Sequence, residues 1–152
     1  MIVRDLTYGV ALDIARRMRA ADRAEILATR WSDELDPIAL DASQSTIAYS
    51  LSLERPIAAI GGTVRHPGVW IAWMFATDEF PLIGRAATVF ARRGILPAMI
   101  RAGAHRIEMR SAADHTEAHR WIEVLGGKAE ATLREYGKDR EDFVLYAWRR
   151  EA

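Results

Sequence analysis

The chain contains no cysteine, which excludes disulfides, thiolate metal sites and a cysteine nucleophile. Lysine is scarce as well: Lys128 and Lys138 are the only lysines among 21 basic residues. Neither sign of charge is in excess, because 21 acidic residues balance the basic ones. That balance gives no electrostatic ground for nucleic acid or an anionic membrane as a partner. No run of 18 apolar residues occurs, so no membrane-spanning helix is expected. The opening Met-Ile-Val-Arg-Asp lacks a basic segment followed by an apolar run; no signal peptide is expected, and a cytoplasmic location is. Also missing are G-x-G-x-x-G, G-K-[ST] and G-x-S-x-G, which leaves nucleotide hydrolysis and serine hydrolysis without sequence support.

What is present suits one globular domain over residues 1–152: half the residues are hydrophobic and 28% are charged, with no linker-like stretch and no repeat. Ile2 to Arg4 is a short strand candidate. From Thr7 to Ala20, Val10, Ile14, Ala15 and Met18 recur at helical spacing. Asp22 followed by Glu25 reads as a capping box for a second helix, and Asp36-Pro37 as the N-cap and first residue of a third.

The period then changes to two. Ile47, Tyr49, Leu51 and Leu53 alternate with small residues, the pattern of a half-buried strand. Ile57 to Val64 is a second strand, in which Gly61-Gly62 predicts a bulge or a close backbone approach. Val69 to Ala76 is apolar on both faces and is expected at the centre of the sheet. Short turns join these three into an antiparallel meander. A helix is expected over 84–102, with Val89, Ile95, Leu96, Met99 and Ile100 towards the core and Pro97 kinking or splitting it. His105 to Arg110 reads as a strand, Asp114 with Glu117 as the capping box of a helix that ends at Gly126-Gly127, and 128–135 and 143–149 as a closing strand pair.

The element order is thus β, two or three helices, three strands, α, β, α and two strands. That order resembles the GCN5-related N-acetyltransferase (GNAT) superfamily over essentially the whole chain. The segment from Asp114 to Gly127 is similar to the family's "N-x-x-A, then Tyr, then L-G-F" pattern, and Tyr136-Gly137 with Asp142 to Tyr146 fall where its closing hairpin runs. The implied fold is α/β: a mixed, mostly antiparallel central sheet flanked by helices. A narrower resemblance is to a phage-encoded branch of podovirus internal virion proteins and acetyltransferases. It rests on Met18 to Ile26, on Val69-Trp70 with Ala76-Thr77-Asp78, and on Arg120-Trp121 followed by Leu125-Gly126.

The resemblance implies acetyl-CoA as cosubstrate and an amine as acceptor. Met74, Phe75 and Ala76 would form the splayed strand edge on which pantetheine lies. The family's phosphate loop, Q/R-x-x-G-x-G/A, reads here Pro81-Leu82-Ile83-Gly84-Arg85-Ala86. Gly84, Arg85 and Ala86 would therefore receive the pyrophosphate at a helix N-terminus, where amide groups point outward and the dipole favours anions; the bland alternative is that Gly84 only permits a tight turn. The family's Tyr, its usual acid, is replaced by Ile122 beside Trp121, and neither side chain can give up a proton. Its Asn position falls on His115, which would hydrogen-bond the cofactor or relay a proton. Tyr136 is a substitute acid or a hydroxyl facing solvent; Asp78 and Glu79 are candidate bases or ordinary loop carboxylates. His115 and His119 stand four apart, but without the H-E-x-x-H order or a third ligand no metal is expected, and both read as exposed helix residues. Two functions stay open: an acyltransferase, or a GNAT-shaped phage virion or assembly protein that has lost the chemistry and partners other phage structural proteins, in the host cytoplasm or the virion.

Overall fold

The computed structural model describes residues 1–150; the expected domain's last two residues lie outside them. Strand β1 (Ile2–Asp5) leads into helices α1 (Tyr8–Arg16), α2 (Ala20–Leu27) and α3 (Asp36–Ser43). Then come β2 (Ile47–Ser52), β3 (Pro56–His66) and β4 (Val69–Ala76), followed by α4 (Gly84–Phe90) and α5 (Leu96–Arg101). The chain closes with β5 (Arg106–Ala112), α6 (Thr116–Val124), β6 (Lys128–Leu133) and β7 (Phe143–Arg149). One seven-stranded sheet runs in the order β1-β2-β3-β4-β5-β7-β6. All its pairings are antiparallel except β4 with β5. The mixed, mostly antiparallel sheet flanked by helices is the architecture expected from the sequence, and β4 is its central strand.

The pleat sends alternate residues to opposite faces, and each face buries its own core. On one side Ala11, Ile14 and Ala15 of α1 pack with Ile38 and Ala39 of α3 against Ala59 and Phe75. On the other, Leu51, Ile60, Trp70 and Ile107 meet the rod formed by α4 and α5. That rod presents Ile83, Ala87, Ala91, Ile95 and Met99 in steps of four. In a regular α-helix such steps drift by about 40° each. A turn of π-helix over 91–95 rotates the stripe back, so it stays on the sheet. The wider turn also absorbs the donor that Pro97 lacks. Val89 and Ile100, expected in the core, are exposed for the same reason: the buried stripe follows the four-residue steps and excludes them.

Four other local expectations fail, the first of them where tertiary contacts win. Helix α1 stops at Arg16, capped at its start by Thr7, because Met18 bridges to Thr77 and the Arg19 amide donates to the Ala76 carbonyl. Asp22 lies inside α2 and does not cap it. Asp114 stands outside α6, whose N-cap position is His115. Asp36 is the first helical residue rather than the N-cap. Gly61 and Gly62 mark a close approach, not a bulge: a Cβ on Gly61 would overlap the Ile47 carbonyl oxygen, and one on Gly62 would lie 2.6 Å from Met99 Sδ. The register irregularities occur elsewhere, between Leu51 and Ser52, between Val64 and His66 and between Ala129 and Ala131. The end of α6 is as expected. Gly126, at φ 95°, lets its amide donate to Glu123 while the Gly127 amide donates to Ile122.

Candidate active site

Strands β4 and β5 pair only over Val69–Ile71 and Arg106–Glu108. Beyond that, 72–76 and 109–112 diverge. Helix α2 is tied to both ends of the opening. Asp22 Oδ2 accepts the Ala76 amide at 2.8 Å, and Glu25 Oε1 accepts the Ala112 amide at 2.5 Å. Asp22 and Glu25 are three apart, so one helix face carries both. The Arg19 guanidinium grips the Asp22 carboxylate at 2.9–3.1 Å and lies 5.1 Å from the Phe80 ring centre.

The His115 imidazole fits between the two acids, with Nδ1 3.2 Å from Glu25 Oε2 and Nε2 3.5 Å from Asp22 Oδ1. The Glu25 hydrogen bond holds the His115 pKa above the ordinary imidazole value, against the opposing effect of burial. Burial pushes the Asp22 carboxyl up, and Arg19 and the Ala76 amide resist it. His115 is therefore buried, and His119 is half-buried with its Nε2 2.9 Å from the Ala112 carbonyl. The expectation of two exposed histidines fails because the helix N-terminus docks onto α2.

Backbone direction alternates along a strand. The amide and carbonyl of Ala76 both point towards the gap, where Asp22 and the Arg19 amide engage them. Two residues back, Met74 presents its own amide and carbonyl to the same gap, where β5 no longer pairs. A cleft of about 930 Å³ occupies the opening. Its walls carry Ile38, Trp73 and Phe75 from the α1–α3 side, and Met74, Phe80 and Trp121 from the α4–α6 side. The gap thus connects the two faces of the sheet.

The sequence-derived site residues fall into three groups. Met74, Phe75, His115 and Tyr136 line the cleft; Tyr136 sits with its ring 5.3 Å from that of Phe143 and is 46% exposed. Gly84, Arg85 and Ala86 form the first turn of α4, just after the cleft residues Phe80 and Pro81. Their amides have no backbone acceptor among the described residues, and the first bond of the helix is from the Ala87 amide to the Ile83 carbonyl. Asp78 and Glu79 do not line the cleft: Asp78 is exposed, and Glu79 pairs with Arg55 and lies 3.9 Å from Arg17. Ala76 ends the splayed strand with both backbone groups engaged. Ile122 is 1% exposed, and Trp121 donates its ring N–H to Thr88 Oγ1 at 2.9 Å.

Reasoning from the sequence missed Asp22, Glu25 and Ser111 as cleft residues. The three-residue spacing of the first two is visible in the sequence but has the form of a local cap. Among the described residues no group of three or more His, Cys, Asp or Glu side chains is arranged to hold a metal ion. No described helix is long and apolar enough to cross a membrane.

Solved structures share this architecture from end to end. Ard1 from Thermoplasma volcanium aligns with a TM-score of 0.73 at 15% identity, over 99% of this chain and 98% of that one. The GNAT-family acetyltransferase from Bacillus anthracis gives 0.67 at 14% identity, over 97% and 93%. This is the GNAT fold. The ribosomal-protein-S18-alanine N-acetyltransferase from Escherichia coli gives 0.66 at 20% identity, over 99% and 95%. No family model and no curated protein matches the sequence. The likeness is therefore one of GNAT architecture, at identities too low to carry a substrate across.

Proposed function

We propose that this protein is an acyltransferase of the GNAT type, moving an acetyl group from acetyl-CoA to an amine. The observation that carries the reading is the cleft through the β4–β5 opening, with the unpaired Met74 edge on its wall. A through-opening lets a thioester enter from one face of the sheet and an amine reach its carbonyl carbon from the other, so that binding holds the two reactants together. Pantetheine would add to the Met74 edge as a strand adds to a sheet. The pyrophosphate would meet the amides of Gly84, Arg85 and Ala86, with the exposed Arg85 guanidinium beside it.

Gly84 supports this placement. Its φ is not positive, and a Cβ added to it would have nothing within 4 Å. Neither backbone conformation nor packing calls for glycine there, whereas close approach of a ligand does. His115 and Tyr136, both on the cleft wall, remain the candidate proton-handling groups from the sequence, while Asp78 and Glu79 stand away from it.

Thermal melting with and without millimolar acetyl-CoA tests the reading. At a hundredfold excess over the dissociation constant, binding adds about 2.7 kcal/mol, which is an upward shift of about 5–11 °C for a chain of this size. Gly84→Leu is expected to melt near the wild type without ligand and to lose the shift. An unchanged melting temperature of the wild type would overturn the proposal. It would favour the second reading, a GNAT-shaped virion or assembly protein of the phage type, for which the buried Ile122 at the family's Tyr position speaks.

A further inference from the structure

The cleft holds a polar group that the fold does not use. Ser111 Oγ is buried without a hydrogen-bond partner among the described residues, and the residue lines the cleft and is 2% exposed. Leaving a hydroxyl in that state opposes folding, because it loses water and gains nothing in return. Most buried hydroxyls avoid it.

Its place in the sheet is specific. Trp70 of β4 stands opposite Ile107 of β5 in the last paired stretch, and both face the α4–α6 side. Continuing that register four residues along each strand sets Met74 opposite Ser111, with side chains on the same face. Met74 carries the open backbone edge. Ser111 is therefore its counterpart across the gap, and a group lying on the Met74 edge would have the Ser111 hydroxyl on its far side. Ile122 lines the same cleft and offers no proton.

We propose that Ser111 is a catalytic residue that donates a hydrogen bond to the thioester sulfur as the acyl group leaves it. The inference rests on the acyltransferase reading. In the transfer, the amine lone pair forms the C–N bond and the C–S bond breaks with its electron pair on sulfur. The nitrogen sheds one proton and the sulfur finally gains one, so the exchange balances. Ser111 keeps its own proton and stabilises the charge that develops on sulfur.

The experiment follows the thiol of bound CoA through its ultraviolet thiolate absorbance as pH rises. The chain has no cysteine, so the thiolate signal belongs to the ligand; titration of the protein alone subtracts its four tyrosines. In the wild type the bound thiol is expected to ionise at lower pH than free CoA. In Ser111→Ala it should move up by about one pH unit or more, the scale of one hydrogen bond to a charged acceptor. Ser111→Thr, which keeps the hydroxyl, should stay near the wild type. Without ligand, Ser111→Ala should melt at or above the wild-type temperature. Equal thiol titration in wild type and Ser111→Ala overturns the inference while leaving the acyltransferase reading standing. A lower melting temperature for Ser111→Ala would also overturn it, by giving the hydroxyl a structural role. Failure of the wild type to bind CoA sinks both, and the melting shift with acetyl-CoA identifies that case separately.

Discussion

Replacing His115 with Gln removes a charge from between two acids while keeping side-chain size and one amide hydrogen bond. In the wild type the imidazolium contacts Glu25 at 3.2 Å and Asp22 at 3.5 Å, with its side chain 7% exposed. At an effective dielectric of about 20, two unit charges at that separation attract by about 5 kcal/mol before desolvation. Burial of the ring offsets much of this, and Arg19 already satisfies Asp22. What remains is close to one charge-assisted hydrogen bond, about 2 kcal/mol. The sign with pH follows from the raised folded pKa. The contribution is complete below the free-imidazole value of 6.5 and disappears as pH rises through the higher folded value. Burial also raises the Asp22 carboxyl above 3.8, so wild type and variant are compared at the same pH. Urea unfolding followed by tryptophan fluorescence should show His115→Gln about 2 kcal/mol less stable at pH 6, a melting difference of about 4–8 °C. The gap should narrow at pH 9. A gap of equal size at both pH values, or none at pH 6, refutes the assignment of a charged His115.

Two further substitutions test the packing that positions the cleft. Gly61→Ala should cost about 3 kcal/mol in urea unfolding, because its Cβ would collide with the Ile47 carbonyl and sit 2.7 Å from the Trp73 ring. Met99→Ala should cost about 2–5 kcal/mol by the same measurement, since Met99 is fully buried between the α4–α5 rod and the sheet at Gly62.

Much of the fold was legible because it is written in periodicity. Alternation over 47–53 and the doubly apolar 69–76 placed the meander and its central strand, and Gly126-Gly127 marked the end of α6. The failures share one cause. Asp22 and Asp114 have the residue type and spacing of helix caps, and local rules cannot tell that α2 and α6 meet. The buried stripe of the α4–α5 rod was misplaced for a related reason. Its four-residue steps leave the α-helical face unless a π turn corrects them, and that turn is settled by packing on the sheet.

The candidate site divides along the same line. The amino-acid sequence by itself determined the element order, the absence of cysteine, the glycine at the start of α4 and the apolar Ile122 within α6. These are properties of residue type and spacing. Only the tertiary structure decided that β4 and β5 part after Ile71, that Ala76 is engaged while Met74 is open, and that the Ser111 hydroxyl is buried without a partner among the described residues. Those facts depend on register between strands that are more than thirty residues apart in the chain, and on a helix from the N-terminal part tied across their ends. Local propensity carries no information about either.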